Sequence, residues 1–179
     1  QLGAAESVLT QDQRDLGVCL IDIGAGTTDL TVYKGGSIRF SKVFPYAGDY
    51  ITETIATSLK ITSTQAEEIK KKYGCAVLDS DSEDTLRIKG ANGNKEIEIS
   101  RKALSEVIEQ SLTRIIRHCA VCLEDNGMLS YMPTGYVLTG GTANLEGVQK
   151  LGEDLTKNNF EIGLPEVEKP YKSEQLIKP

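Results

Sequence analysis

The 179-residue chain sets 20 Lys and Arg against 26 Asp and Glu, a net charge of −6, and 39% of its residues are hydrophobic. That is enough apolar material for a packed core in one ordinary domain or two small ones, and too much for a disordered chain. The acidic balance, with no basic run beyond Lys70-Lys71-Lys72, excludes the usual footprint of a nucleic-acid binder. No stretch approaches the roughly 18 consecutive apolar residues of a membrane-crossing helix.

The chain opens on Gln1 with no basic-then-apolar leader, so a fragment or a processed product is expected. Four irregularly spaced cysteines (Cys19, Cys75, Cys119, Cys122) predict reduced thiols rather than a disulfide framework. His118, Cys119 and Cys122 lack the fourth ligand that zinc normally takes. They also continue a helical apolar stripe, and we assign them to it.

Residues 17–23, "GVCLIDI", form a short, nearly unbroken apolar run, as expected of a strand covered on both faces. Two further strands flank Lys34-Gly35-Gly36, a good hairpin signal. Together these predict three sequential antiparallel strands, with "GAGTT" as the first turn. A helix is predicted over 48–59, with Ile51, Ile55 and Leu59 on one face. A second helix over 63–74 has Thr64 and Glu67 at capping-box spacing and Gly74 as its stop.

An acidic loop (79–84) and a hairpin around "GANGN" follow. Ser100 is placed to cap a long helix bearing Leu104, Ile108, Leu112, Ile115, Cys119 and Cys122 every three or four residues. "YVLTGG" reads as a strand halted by two glycines. "TANLEGVQKLGEDL" reads as an amphipathic helix and "FEIGLP" as a last strand. The expected class is therefore α/β: one mixed sheet with a small α+β subdomain inserted at about 60–100. The boundaries are 1–59 and 101–165 for the main domain and 60–100 for the insertion, with 166–179 unassigned.

Two turns share one design, in which a buried strand runs into glycines and then into small hydroxyl or amide residues. They are Asp22-Ile23-Gly24-Ala25-Gly26-Thr27-Thr28 and Leu138-Thr139-Gly140-Gly141-Thr142-Ala143-Asn144. Glycine lets backbone approach a bulky ligand and aim consecutive N–H groups at it, an arrangement that favours phosphate oxygens. A helix opening at the second turn would add its positive end. Asp22 alone would repel phosphate, whereas an acid holding hydrated magnesium makes the pattern coherent. Each turn taken singly is equally an ordinary connection.

"DIGAGTTDLTVYKGG" resembles the phosphate-2 motif of the actin, hexokinase and heat-shock-chaperone superfamily, and "YVLTGGTANLEGV" is similar to its adenosine motif. "QAEEIKKKYGCA" after "YAGDYIT" resembles the FtsA family of bacterial actin-like cell-division proteins. The rod-shape actin MreB shares the Ala-Glu and Ile-Lys elements but not Gly74-Cys75-Ala76. The resemblance implies a ribonuclease-H-like domain IIA interrupted by IIB.

It implies that ATP is bound with magnesium, Asp22 ordering the metal through water. Gly24, Ala25, Gly26 and Thr27 would contact the β- and γ-phosphates. Gly140, Gly141 and Thr142 would lie along the α-phosphate and adenosine, with Asn144 nearby. Glu67 and Lys70 would reach ribose and adenine, although Glu67 also suits a cap and Lys70 a solvated face.

The resemblance further implies at most a weak ATPase that forms filaments and receives the FtsZ tail on IIB. The expected location is the cytoplasmic face of the plasma membrane at the division site. The family's phosphate-1 motif and its membrane-binding helix have no counterpart in this sequence, which predicts the second half of such a protein. The alternatives are an MreB-type actin or half of a sugar-kinase-type phosphotransferase.

Overall fold

The computed structural model describes residues 7–77, 84–89 and 96–164. The acidic loop apart from Asp84, the turn at 90–94 and the 166–179 tail lie outside the described residues. A short helix α1 (Gln11–Leu16), which the periodicity does not announce, leads into β1 (Val18–Ile23), β2 (Thr28–Lys34) and β3 (Ser37–Phe44). These pair antiparallel in sequence order, as expected from the two glycine-bearing turns. Strand β6 (Tyr136–Thr139) adds to β1 in parallel, and β7 (Phe160–Ile162) adds to β6, giving the order β3-β2-β1-β6-β7.

The continuous apolar character of β1 has the predicted cause. Cys19, Ile21 and Ile23 enter the main core on one face of the sheet, while Val18 and Leu20 join Leu9, Tyr33 and Val137 on the other. Successive strand residues point to opposite faces, so a strand buried on both needs no polar alternation.

The main core packs the sheet against α2 (Gly48–Leu59) and the long α4 (Arg101–Asp125). Ser100 caps α4 by accepting from the Ala103 amide at 3.3 Å. Of the predicted stripe, Leu104, Ile108, Leu112, Ile115 and Cys119 are buried. Cys122, in the last turn of the helix, is only partly so. Ile115→Ala should cost about 2 kcal/mol, the low end for such truncations. Ile115 also floors a small cavity beside Phe44 and Tyr50, so part of its surround is already open. A denaturation midpoint shift equivalent to less than about half that would show that the helix face is not the core face.

Between α2 and α4 stand α3 (Ser63–Tyr73) and a hairpin of β4 (Thr85–Lys89) and β5 (Glu96–Ser100). Among the described residues, this segment gives no strand to the five-stranded sheet. Leu86 and Ile99, opposite each other in the hairpin, reach the main core.

Two expectations need correction. The cap of α3 is Thr62, not Thr64, and its reciprocal partner is Gln65, not Glu67. With the cap at Thr62, the box closes at Gln65 and Glu67 falls two positions beyond it. After β6, the chain makes a 3₁₀ turn (Gly141–Asn144), bends at Gly147 with φ 76°, and only then enters α5 (Val148–Thr156). The positive end of α5 therefore does not reach the second glycine turn, since a macrodipole acts within about one turn of its end.

Candidate functional site

The two glycine turns emerge side by side because β1 and β6 are parallel neighbours. Asp22 stands opposite Thr139, one residue before the second turn begins. The approach is close: a Cβ on Gly140 would sit 2.5 Å from Asp22 Oδ1 and 2.5 Å from the Ile23 carbonyl oxygen. Gly140 also has φ +88°, a region that side chains other than glycine rarely adopt. The crevice beyond the carboxyl ends of such strands is where open α/β sheets bind ligands.

In the first turn, the Gly24 N–H donates to the Thr27 carbonyl at 3.0 Å, leaving Ala25 and Gly26 at an exposed tip. Ala25 keeps a negative φ, so the alanine there is accommodated without strain. The turn is anchored from behind by the start of α2. The amide of Gly48 donates to the Gly24 carbonyl at 3.0 Å, and that of Asp49 to the Ala25 carbonyl at 2.7 Å.

Opposite the turns, α3 supplies Glu67 and Lys70. Lys70 Nζ lies 2.6 Å from Glu67 Oε2, and Lys71 Nζ lies 3.1 Å from Glu67 Oε1. The Thr52 hydroxyl donates to Glu67 Oε2 as well. Burial pushes the Glu67 carboxyl up, but hydrogen bonds from Lys70, Thr52 and Lys71 outweigh it and hold the pKa at about 2. The carboxylate is thus ionised throughout the working range and one third exposed, able to accept hydrogen bonds from a ligand.

Because its folded pKa is depressed, the stability that Glu67 supplies is complete above the ordinary value of 4.5. It drains away as the pH falls toward about 2. The difference in thermal midpoint between wild type and Glu67→Gln should therefore narrow as pH drops from about 7 to about 3. A gap that holds constant over that range contradicts the ion-pair assignment.

These elements enclose a cleft of about 460 Å³ lined by Gly24, Ala25, Glu67, Lys70, Gly141, Thr142 and Asn144 from among the predicted residues. Of the rest, Asp22, Gly26, Thr27 and Gly140 stand beside the cleft without lining it. Thr27 Oγ1 donates to Asp29 Oδ2 at 3.4 Å, and the Asn144 amide group donates to the Gly141 carbonyl at 3.2 Å. Sequence reasoning missed Gly48, Asp49, Lys71 and Leu145, which also line the cleft. "Gly-Asp" at the mouth of a helix and a lysine adjoining Lys70 are the signals that could have found the first three; Leu145 carries none.

Gly74-Cys75-Ala76 runs behind Leu145, close enough that a Cβ on Gly74 would sit 2.7 Å from Leu145 Cδ2. The Ala76 amide donates to the Glu146 carbonyl at 2.7 Å, and Ser105 on α4 donates to the Cys75 carbonyl at 2.9 Å.

Asp22 pairs with Asp29 across β1 and β2. Burial and the neighbouring Asp29 carboxylate both raise its pKa. Among the described residues no cluster of three or more ligating side chains could enclose a metal. Two facing carboxylates do suit a hydrated cation that takes its remaining ligands from water and phosphate, as magnesium does.

Sheet order, paired turns and cleft define the fold of the actin-like ATPases. MreB5 of Spiroplasma citri bound to ADP matches with a TM-score of 0.77 at 25% identity, over 90% of this chain and 53% of that one. A non-polymerising MamK mutant bound to AMPPNP matches with a TM-score of 0.63 at 19% identity, over 84% and 50%.

Residues 19–178 match the family model of the cell division protein FtsA, and the chain belongs to that family. It is 39% identical to FtsA of Pseudomonas aeruginosa over 166 residues and 36% identical to that of Escherichia coli K12 over 172. FtsA of Bacillus subtilis is 33% identical over 165. Each match covers 92% of this chain but only 40%, 41% and 37% of the respective relative, so the chain spans about two fifths of their length. Among the described residues, no helix is long and apolar enough to cross a membrane.

Proposed function

We propose that this chain forms the IIA and IIB part of an actin-like cell-division protein and binds an adenine nucleotide with magnesium in the cleft. The observation that carries this reading is the convergence of both glycine turns on one cavity whose opposite wall bears an ionised carboxylate. A volume of about 460 Å³ is in the range that holds small ligands. The phosphates would lie along the 24–27 turn, against the tip amides of Ala25 and Gly26, and against the 3₁₀ turn at 141–144, whose leading N–H groups have no acceptor within the turn. Asp22 would hold magnesium through water, the ion supplying charge neutralisation for the phosphates. Glu67 would accept from ribose hydroxyls, with Lys70 orienting it, and Lys71 would flank the base at the rim.

Family membership and the actin-like fold support a wider role in filament formation at the division site. Contact with the FtsZ tail through the α3 and hairpin segment, and attachment at the inner membrane face, belong to the same reading. So does the division of the chain into IIA (1–59 and 101–165) and IIB (60–100). Hydrolysis, if it accompanies binding, would be weak.

Amide chemical shifts recorded during titration with ADP and magnesium test the site. The expected movements cluster at 24–27, 48–49, 67–71 and 141–145. Shifts centred elsewhere, or none at about 1 mM ligand, where even a 4 kcal/mol interaction registers, would remove the nucleotide from this cleft.

A further inference from the structure

Lys70 lines the cleft, yet its ammonium group is fully engaged inside the protein. It donates to the Gly48 carbonyl at 3.0 Å and to Thr52 Oγ1 at 2.7 Å, and it lies 2.6 Å from Glu67 Oε2. An ammonium has three protons, and these three acceptors use them all. The side chain is only 11% exposed.

The Gly48 carbonyl shares a peptide unit with the Asp49 N–H, and that N–H donates to the Ala25 carbonyl at 2.7 Å. The Ala25 carbonyl in turn shares a peptide unit with the Gly26 N–H, at the exposed tip of the first glycine turn. We infer that Lys70 is a positioning residue acting on the phosphate-facing turn. It clamps α3 to the first turn of α2 and polarises a relay of two peptide units ending at the Gly26 amide.

Hydrogen bonds in series polarise one another, each acceptor's partner N–H becoming a better donor. The Glu67 carboxylate shares the lysine charge but does not interrupt the relay, which begins at a different ammonium proton. Arginine cannot reproduce this compact three-way contact, since its planar fork directs donors differently. The functional consequence rests on the nucleotide reading above. The clamp itself does not, because it exists without ligand.

Lys70→Met keeps the length and apolar stem of the side chain while removing every donor. In the nucleotide-free variant, hydrogen exchange at the Asp49 amide should accelerate about tenfold, as local protection is lost. Affinity for ADP with magnesium should fall about tenfold while affinity for adenosine changes less than about threefold, because the relay serves the phosphate end. Equal losses for ADP and adenosine, with Asp49 exchange unchanged, would overturn the relay and make Lys70 a direct ribose ligand.

If Lys70→Met does not fold, the wild-type chain decides the question through the ¹⁵N resonance of the Lys70 ammonium. It should be protected from exchange without nucleotide and stay in place when ADP is added. A resonance protected only in the presence of ADP refutes the inference. Failure of the wild-type chain to bind ADP would sink the nucleotide reading alone, since Asp49 exchange still reports on the clamp.

Discussion

Gly140→Ala should destabilise the chain by roughly 4 kcal/mol, the sum of a strained left-handed backbone and forced overpacking. Two of the three atoms the added methyl group would meet are backbone, which no rotamer change can displace. The methyl would meet the Ile23 carbonyl oxygen at 2.5 Å and the Ile23 carbonyl carbon at 2.8 Å, both fixed in β1. Its third close neighbour, Asp22 Oδ1, belongs to a carboxyl that already sits opposite Asp29. Relief therefore requires β1 and β6 to part at their ends, where the two glycine turns begin. Equilibrium denaturation checks this, and a loss below about 1 kcal/mol, the centre for ordinary substitutions, would mean that the strand ends are not held this tightly.

Gly141→Leu should do the reverse, leaving stability nearly intact and removing nucleotide binding. Gly141 has no positive φ, and a Cβ placed on it meets no atom within 4 Å. Nothing in the fold requires glycine there. The residue lines the cleft, so a leucine side chain projects into the space proposed for the nucleotide. Affinity for ADP with magnesium should drop at least about 100-fold, equivalent to some 2.7 kcal/mol. The thermal midpoint should move by no more than about 2 °C, as for a surface change of a few tenths of a kcal/mol. Undiminished binding in a folded Gly141→Leu chain would place the ligand elsewhere. The adjacent glycines thus separate two demands that one sequence motif conceals: position 140 answers to packing, position 141 to free space.

The glycine turns, the two-faced apolar strand β1 and the α4 stripe were legible in the sequence because each rests on local chemistry. Turn residues, continuous apolar runs and a spacing of three to four residues act within a few positions of themselves. The FtsA resemblance likewise rested on contiguous motifs. The start of α3 at Ser63 was legible, but its capping pair was misassigned because Thr62 and Thr64 are both acceptable caps locally, and Gln65 reciprocates for the first of them. The helix after β6 was drawn too long because apolar spacing does not reveal the left-handed bend at Gly147.

What the sequence determined alone was the strands and the longer helices, the mixed α/β class and the residues around the two turns; α1 and the 3₁₀ turn at Gly141–Asn144 were not among them. Tertiary structure decided which of those residues meet. The parallel pairing of β1 with β6 joins turns more than a hundred positions apart, and no local signal encodes that neighbourhood. Tertiary packing also settled what Glu67 and Lys70 face. Thr52 and the Gly48 carbonyl, brought in on α2, convert two residues of a charged helix face into an ion pair whose lysine is buried and fully bonded and whose carboxylate is one third exposed. The physical reason is range: propensity and periodicity act along the chain, whereas desolvation and hydrogen bonding depend on whatever the fold sets across the cleft.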